Sequence, residues 1–309
     1  MTDSERARGV VAGMTAYVAW GLLTVYWKAL RDFDAFELIG WRVSLSAVLM
    51  ALVLTATRGW SGLRPVVEQR ALLGRVALAA VLLTVNWTSY VWAVVHGNVI
   101  ETALGYFMAP LGTMAVGVLV LGERLRTAQR VAVALAVVAV CVLTVSYGRV
   151  PWIALTLAAT WTAYGYLKKQ VPLTGVQSMA AESLLLLIPA ALVIAVTAGR
   201  DDSITSSASG GQLTLVLLSG LVTVLPLVMF AFAARRVPLT VLGPMQYAVP
   251  SINFLLGWLV YDEPLPASRV IGFGLVWAAL VVLSVDAARR GHAARRRPVV
   301  DHVTDRVPA

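Results

Sequence analysis

The sequence predicts an all-α polytopic membrane protein, with ten transmembrane helices arranged as two inverted five-helix repeats. Hydrophobic residues make up 59 % of the 309 residues and charged residues 13 %, whereas soluble domains average roughly 45–50 % and 25 %. Ten apolar runs have a length of about 20 residues, which is the length that crosses a bilayer. An apolar segment with a proline inside it occurs twice, at residues 103–123 and 243–263.

Short loops join many of the ten predicted spans, so neighbouring helices should be antiparallel. The first span is followed by Lys28, Arg31 and Asp32 and not by a small-x-small cleavage site. We therefore expect a retained helix and not a signal peptide. The predicted spans cover residues 10–29, 36–57, 72–95, 100–121, 130–147, 151–168, 176–198, 212–234, 239–260 and 269–287.

The spans divide into a first five-helix repeat at residues 1–147 and a second, inverted repeat at residues 148–288. Residues 1–9 are a polar tail, and residues 289–309 are a basic tail that is predicted to be disordered and cytoplasmic. With the N-terminus in the cytoplasm, 19 lysines and arginines face the cytoplasm and five face outside. This asymmetry predicts that both termini are cytoplasmic.

Composition and motifs exclude several functions. The net charge is +9, but the basic residues lie between apolar runs, so we expect no nucleic-acid partner. One cysteine, Cys141, and three histidines favour neither a disulfide framework nor a metal enzyme, and we expect no cofactor. The sequence contains no HExxH, GxSxG or Walker A motif, so we expect neither an enzyme nor an ATP-driven pump.

Residues of the two halves match at an offset of 140 or 141. An odd number of spans in each half inverts the second half relative to the first. Inverted repeats are a common design of secondary transporters, which bind substrate at the interface of the repeats. The matched pairs are Trp20 with Trp161, Lys28 with Lys169, Arg42 with Glu182, Pro110 with Pro250, and Glu123 with Glu263.

The two repeated prolines predict broken helices. Pro110 should free the carbonyl of Tyr106, and Pro250 that of Gln246, because proline crowds the carbonyl four residues before it. Asn253 follows on the same helical face as Pro250. A free carbonyl is costly in lipid, so we predict that these faces line a central cavity. The alternative is that the prolines only kink tightly packed helices.

The segment ETALGYFMAPLGTMAVGVLVLGE at residues 101–123 resembles a segment of RarD-type permeases. These permeases belong to the EamA branch of the drug/metabolite transporter superfamily. Trp41, where the family often has histidine, and Asp262, where it has glycine, are departures. Further matches are AYVAWG (16–21), WRVSLS (41–46), NW (86–87), YGYLKK (164–169), TVLPL (223–227), LGPMQYAVP (242–250) and DEP (262–264).

The resemblance implies an inverted 5+5 arrangement of ten helices and the export or exchange of small organic molecules. It also implies a link to chloramphenicol sensitivity or resistance, but it does not settle the physiological substrate. The high content of arginine, alanine and valine fits a GC-rich bacterial genome, so we expect a bacterial inner membrane.

Ionisable residues inside the spans are the strongest signals of function. A buried Arg42 costs at least about 2.5–3.5 kcal/mol, so it should face a cavity or a partner. Glu101 is the better partner for Arg42, because the depths of Arg42 and Glu182 in the membrane differ by about 10 Å. One hypothesis is that Arg42 and Glu101 form an outer gate or bind an anionic group of the substrate. The alternative is structural ion pairing.

Glu182 could serve an inner gate or carry a proton, and Lys168, Lys169, Arg235 and Arg236 are its nearer cations. Deep aromatic and amide side chains either line a cavity or pack between helices. An aromatic cavity with little fixed charge suits an amphipathic, aromatic or weakly charged solute. The candidate substrate-binding residues are Trp20, Arg42, Asn86, Tyr90, Glu101, Tyr106, Trp161, Tyr164, Gln246 and Asn253, with Pro110 and Pro250 as helix breaks and Glu182 as a proton-coupling candidate.

The sequence therefore predicts a secondary transporter that moves a small organic metabolite or drug by alternating access. Proton exchange is the default coupling, and obligate exchange of two metabolites is equally compatible. The alternatives are a passive channel and a membrane scaffold. The expected partners are a small-molecule substrate and membrane lipids, and the sequence also allows a homodimer.

Overall fold

The computed structural model describes residues 3–120, 122, 124–234, 236–237 and 245–295, and the regular secondary structure of these residues is entirely helical. A 3₁₀ turn at Gly59–Leu63 precedes the helix that begins at Arg64, and a π-helical turn at Leu256–Val260 extends the helix that ends at Leu255. The α-helices are α1 (Asp3–Lys28), α2 (Ala35–Ala56), α3 (Arg64–Glu68), α4 (Arg70–Val95), α5 (Val99–Leu119), α6 (Thr127–Tyr147), α7 (Trp152–Lys169), α8 (Gly175–Thr197), α9 (Ile204–Ser207), α10 (Gly210–Ala234), α11 (Ala248–Leu255) and α12 (Ala267–Arg295).

Nine of the predicted spans each overlap one helix of at least 18 residues, and the described part of the predicted ninth span overlaps the shorter α11 and its π-helical turn. Within the described residues, seven helices are long and apolar enough to cross a membrane, namely α1, α2, α4, α6, α8, α10 and α12. α5 and α7 add helices of 21 and 18 residues, and Ala248–Val260 is a shorter apolar helix. The fold is therefore that of a polytopic helical membrane protein, whereas the count of ten spans and the inversion of the halves stay predictions.

Three boundaries differ from the sequence analysis. α1 begins at Asp3, so it includes most of the predicted polar tail at residues 1–9. α12 continues to Arg295, so the first part of the basic tail is helical and not disordered; residues 296–309 lie outside the described part of the chain. The predicted ninth span begins at residues that also lie outside it, and its described portion is α11 with the π-helical turn.

Polar side chains in the loops fix where the helices begin. The carboxylate of Asp34 accepts hydrogen bonds from the N–H groups of Phe36 and Glu37, at 2.9 and 3.2 Å, and so caps α2. Thr174 and Gln177 form a reciprocal capping box at the start of α8, with bonds of 3.3 and 3.0 Å. These caps satisfy backbone N–H groups that have no partner within the helix.

The helices pack around an interior that is partly polar, and they turn apolar faces outward. α2 packs against α8 and α10, α5 against α7, α6 against α12, and α1 against α10 and α11. The largest buried cluster includes Trp27, Leu38 and Leu157. The outward faces carry Val145 and Ile188, which are 83 % and 80 % exposed. Exposure of this kind is costly in water, at roughly 25 cal/mol per Å², but it is natural for helices surrounded by lipid.

The loops lie alternately at two opposite ends of the bundle. The Glu101 end contains the α1–α2 loop, the start of α5 and the α6–α7 loop. The Lys168 end contains the α2–α4 connection and the α7–α8 loop. These two names are used below.

α5 and α7 approach each other closely at Gly105. A Cβ atom at this position would lie 2.8 Å from Cβ of Leu157 and 2.9 Å from the carbonyl oxygen of Ala154. The backbone contact cannot be relieved by a side-chain rotation, so only glycine allows this spacing. Gly165, in contrast, has no atom within 4 Å of the position of a Cβ.

We expect Gly105→Ala to force α5 and α7 apart and to cost about 1–3 kcal/mol of folding free energy, as overpacking does in other interiors. Gly165→Ala is the control. It should leave stability unchanged or raise it, because alanine is favoured over glycine within a helix by roughly 0.5–1 kcal/mol. Thermal unfolding of both purified variants in detergent tests this, and equal unfolding temperatures would contradict the close packing.

Candidate functional site

A buried hydrogen-bond network connects four helices at the centre of the bundle. Thr24 of α1 donates its hydroxyl to Oδ1 of Asn253 in α11 at 2.9 Å, and it accepts a bond of 2.8 Å from the Tyr90 hydroxyl of α4. Nδ2 of Asn253 donates to Oγ1 of Thr102 in α5 at 3.4 Å. All four side chains are at most 5 % exposed. The predicted site residues Tyr90 and Asn253 thus meet through Thr24, and Thr102 is a further partner of Asn253; neither threonine was among the predicted site residues.

A second network is centred on Asn86 of α4, which is 1 % exposed. Nδ2 of Asn86 donates to Oγ1 of Thr160 at 2.9 Å and to the carbonyl of Leu157 at 3.1 Å, both in α7. Oδ1 accepts from the Tyr106 hydroxyl of α5 at 3.2 Å. The rings of Tyr106 and Tyr90 are 6.0 Å apart, so the two networks adjoin. A mid-span amide therefore has the partners that burial in lipid requires.

Arg42 of α2 lies buried beside these networks, with 4 % of its side chain exposed. Its Nε donates to Oγ1 of Thr223 in α10 at 2.9 Å. The guanidinium carbon lies 3.9 Å from the ring centre of Trp87 and 5.4 Å from that of Trp27. Arg42 is thus held by an aromatic face and a hydroxyl.

The expected pairing of Arg42 with Glu101 is wrong. Glu101 forms an ion pair with Arg149 at 2.7 Å and accepts from the N–H of Ile153 at 3.1 Å. The reason is position along the helices. Glu101 lies in the first turn of α5, beside the start of α7, whereas Arg42 lies about two turns inside α2. Glu101 therefore links the start of α5 to Arg149 and to the start of α7 at the Glu101 end of the bundle, and it does not neutralise the charge of Arg42.

Two further carboxylates at the same end cap helices that are distant in sequence. Glu37 accepts from the N–H of Ile204 at 3.0 Å, at the start of α9. Glu263 accepts from the N–H groups of Val99 and Ile100 at 2.6 and 2.8 Å, at the start of α5. A carboxylate at a helix N-terminus is favoured by the unpaired N–H groups and the helix dipole. Burial raises the pKa of Glu263, although these two N–H groups favour its charged form.

These caps could not be predicted from the sequence, because the partners are more than 160 residues apart. The available signal was the repeat, since Glu263 closes the repeated segment. Its matched residue, Glu123, lies outside the described part of the chain.

Glu182 of α8 forms the main charged cluster toward the Lys168 end. Its carboxylate accepts from Nζ of Lys168 and from Oγ of Ser178, both at 2.8 Å, and from the Tyr164 hydroxyl at 3.1 Å. Glu182 is 1 % exposed. Lys168 was one of the cations expected near Glu182, and the structure confirms this pairing. Arg235, another candidate, lies outside the described residues.

The remaining aromatic candidates lie between the interior and the surface. Trp20 is half-buried and contacts Tyr17 and Phe230, with ring centres 5.5 and 5.8 Å away. Trp161 is 41 % exposed, and its ring lies 6.3 Å from that of Tyr106. The structure thus brings Trp161 to the edge of the Asn86 network, whereas Trp20 belongs to a separate aromatic group on α1 and α10.

The two prolines behave differently, although the repeat predicts the same break. Pro110 lies inside α5, which is continuous from Val99 to Leu119. Pro250 lies in the first turn of α11, where a missing N–H costs no bond within the helix. The carbonyl of Gln246 accepts from the N–H of Val249 at 3.3 Å, so the prediction that Pro250 frees it is wrong. The Gln246 side chain is exposed.

The arrangement defines an integral membrane protein with a polar, aromatic interior between helices of both halves of the chain. Among the described residues, no group of three or more His, Cys, Asp or Glu side chains could hold a metal ion. The chain matches the EamA-like transporter family over residues 7–145 and 150–285, and it belongs to this family. It is therefore a membrane transporter of the bacterial inner membrane. The resemblance predicted the family, and the amino-acid composition predicted the membrane.

Curated relatives match the chain over almost its full length. It is 44 % identical to Protein RarD of Streptomyces exfoliatus, covering 96 % of this chain and 94 % of that protein. It is 34 % identical to the uncharacterized transporter YojE of Bacillus subtilis, covering 96 % and 99 %. Chloramphenicol-sensitive protein RarD of Pseudomonas aeruginosa is 27 % identical, covering 94 % and 98 %. These relatives confirm the predicted RarD-type permease.

A solved protein structure also has a similar fold. A crystal structure that is 19 % identical in sequence matches 92 % of this chain and 98 % of its own, with a TM-score of 0.54. At this identity the match supports the fold alone.

The Lys168–Glu182 pair leads to a stability prediction. Lys168→Ala should leave the buried Glu182 without a cation and lower the unfolding temperature in detergent, because an uncompensated buried charge is strongly destabilising. The double variant Lys168→Ala with Glu182→Gln should recover part of the loss. Lys169→Ala is the matched control, since Lys169 is exposed and should not matter. Equal unfolding temperatures for the two lysine variants would contradict a structural role of the pair.

Proposed function

We propose that this protein is a secondary transporter that moves a small organic solute by alternating access. The proposal is carried by the buried polar networks, which join helices from both halves of the chain at the level of Asn86 and Asn253. Secondary transporters place their substrate sites at such an interface near the middle of the membrane. In this proposal, the two halves are residues 1–147 and 148–288, inverted relative to each other.

In this proposal, the Glu101 end is the closed gate and faces outside, with both termini in the cytoplasm. The lysine and arginine distribution supports this orientation. Three carboxylates, Glu37, Glu101 and Glu263, accept backbone N–H groups of other helices at this end. Opening it would break those bonds together, so the caps provide a defined closed state of the kind that alternating access requires.

We also propose a class of solute and a residue that couples transport to protons. The aromatic side chains Trp87, Tyr90, Tyr106 and Trp161 favour a solute with an aromatic or apolar body. The name of the Pseudomonas aeruginosa relative associates it with chloramphenicol, so chloramphenicol is a candidate solute. Glu182 remains our candidate for proton coupling, with Lys168 as the group that would hold its charge. A passive channel or a scaffold is the alternative.

Counterflow in proteoliposomes tests the transport proposal. Vesicles are preloaded with an unlabelled solute, and the uptake of the same labelled solute is followed for chloramphenicol and for amino-acid-like metabolites. A carrier should give a transient, saturable accumulation above equilibrium. Asn253→Ala should reduce it at least tenfold, because the amide links α1 and α5, whereas Gln69→Ala at an exposed amide should not.

A pore would equilibrate the label without an overshoot, and a scaffold would show no flux above that of empty vesicles. Either result, with folding verified by thermal unfolding, would contradict the transporter proposal.

The gate can be tested separately. In a Cys141→Ala background, Ala103→Cys places a thiol at a fully buried position of α5, one turn inside the Glu101 end. Glu263→Ala removes two hydrogen bonds to a charged group, each worth about 1.5–3 kcal/mol. It should raise the labelling rate of this thiol by an impermeant maleimide at least tenfold. Asp262→Asn is the control, since Asp262 is exposed beside it. Equal labelling rates would contradict a gate at this end.

A further inference from the structure

Within the described residues, Arg42 is a buried cation without a counter-anion. The described residues contain three ion pairs, namely Arg64 with Glu68, Arg149 with Glu101, and Lys168 with Glu182. The buried carboxylates Glu101 and Glu182 are thus already paired, and Glu37 caps α9. Intramembrane arginines normally pair with an acidic residue, a backbone carbonyl or a water-filled cavity. Arg42 therefore has an electrostatic requirement that the described part of the protein does not meet.

The surroundings of Arg42 hold the cation in place but do not neutralise it. Trp87 presents its ring face at 3.9 Å, and Thr223 accepts from Nε. The phenols of Tyr26, Tyr90 and Tyr106 also lie close enough to interact electrostatically with the guanidinium. Ring faces and neutral hydroxyls stabilise a cation only partly. The two Nη atoms are the groups that could form a bidentate contact with a planar anion.

Two further donors beside Arg42 have no acceptor. Nε1 of Trp27 and Oγ of Ser46 are buried and form no hydrogen bond within the described residues. The ring of Trp27 lies 5.4 Å from the guanidinium. Ser46 follows Arg42 by four residues in α2, so both side chains are on one face of the helix. An indole N–H can only donate, and a buried donor left unpaired costs about 1–3 kcal/mol. Within the described residues, the Trp27 N–H and the Ser46 hydroxyl therefore have no acceptor for their hydrogens.

We propose that Arg42 is the anion-binding residue of the substrate site, and that the substrate is an organic monoanion with a carboxylate next to an aromatic or apolar body. This inference rests on the proposed transport function and adds the substrate class, which excludes the neutral candidate chloramphenicol. A monoanion balances the single positive charge of Arg42, whereas a phosphate dianion would leave one negative charge without a partner. A carboxylate has only acceptor oxygens, which match the donors of Arg42, Trp27 and Ser46. The rings of Trp27 and Trp87 would contact the apolar body.

The proposed substrate class, an organic carboxylate, is tested by measuring the binding of small carboxylates to the purified protein in lipid nanodiscs. The probes are benzoate, phenylacetate and 3-phenylpropionate, each compared by calorimetry with its neutral amide and with phenethylammonium. At least one carboxylate should bind at least tenfold more tightly than its amide and than the ammonium ion. If all three carboxylates fail to bind, or if an amide binds as tightly as its acid, the inference is overturned.

Variants identify the residue that binds the anion. Arg42→Gln should weaken carboxylate binding at least tenfold without changing the weak binding of the amide. Arg31→Gln is the control, since Arg31 is an exposed arginine at the Glu101 end and should bind as the unmodified protein does. If Arg42→Gln does not fold, Arg42→Lys and Ser46→Ala take its place. Both should weaken carboxylate binding severalfold, and unchanged binding in both would overturn the inference.

The outcomes separate this inference from the transport proposal. Carboxylate binding that depends on Arg42 but is not followed by counterflow would support the anion site and contradict transport. Counterflow of a neutral or cationic solute that is unchanged by Arg42→Gln would support transport and overturn the anion site.

Discussion

The structure depends on one constraint, which is that the bilayer core offers no water to hydrogen-bond a polar group. Each polar side chain placed inside the bundle therefore needs a partner from the protein. Asn86 uses both atoms of its amide, and Asn253 joins Thr24 to Thr102. These bonds link helices that are far apart in sequence, so they fix the arrangement of the interior, whereas apolar packing against lipid gives little preference between one helix face and another.

The same constraint explains the ends of the bundle. The N–H groups at a helix start have no partner within the helix, and a carboxylate from another helix can satisfy them. Glu263, Glu101 and Glu37 do so at the Glu101 end. The Lys168 end uses a different device, because Glu182 is held there by the side chains of Lys168 and Ser178. A long lysine side chain can follow a moving carboxylate, whereas a backbone N–H cannot. In the proposed alternating-access mechanism, the two ends would therefore differ in which bonds must break for each to open.

The spans could be predicted from the sequence because a run of about 20 apolar residues is typical of a helix that crosses a bilayer. Arg42 and Asn86 could be predicted to need partners because a polar group inside such a run is costly to bury in lipid. The partners could not be predicted. Glu101 meets Arg149, 48 residues away, and Glu263 meets Val99, 164 residues away, and such contacts depend on how the helices are arranged. The repeat predicted equal roles for Pro110 and Pro250, but similarity in sequence does not require that the two halves have the same conformation at one time. In an alternating-access transporter they should differ.

Arg42 connects these points to the proposed mechanism. Among the described residues, the buried carboxylates Glu37, Glu101 and Glu182 each have a partner. The guanidinium of Arg42 has no counter-anion there, so it would make the proposed closed state costly without a bound anion. An anion that binds Arg42 would remove this cost only when the site is closed around it, since water already solvates the cation when the site is open. The bound form should therefore pass through the closed state more readily than the empty form. A carrier built in this way changes conformation faster when loaded, and this property favours the exchange of solutes over net flux of a single one.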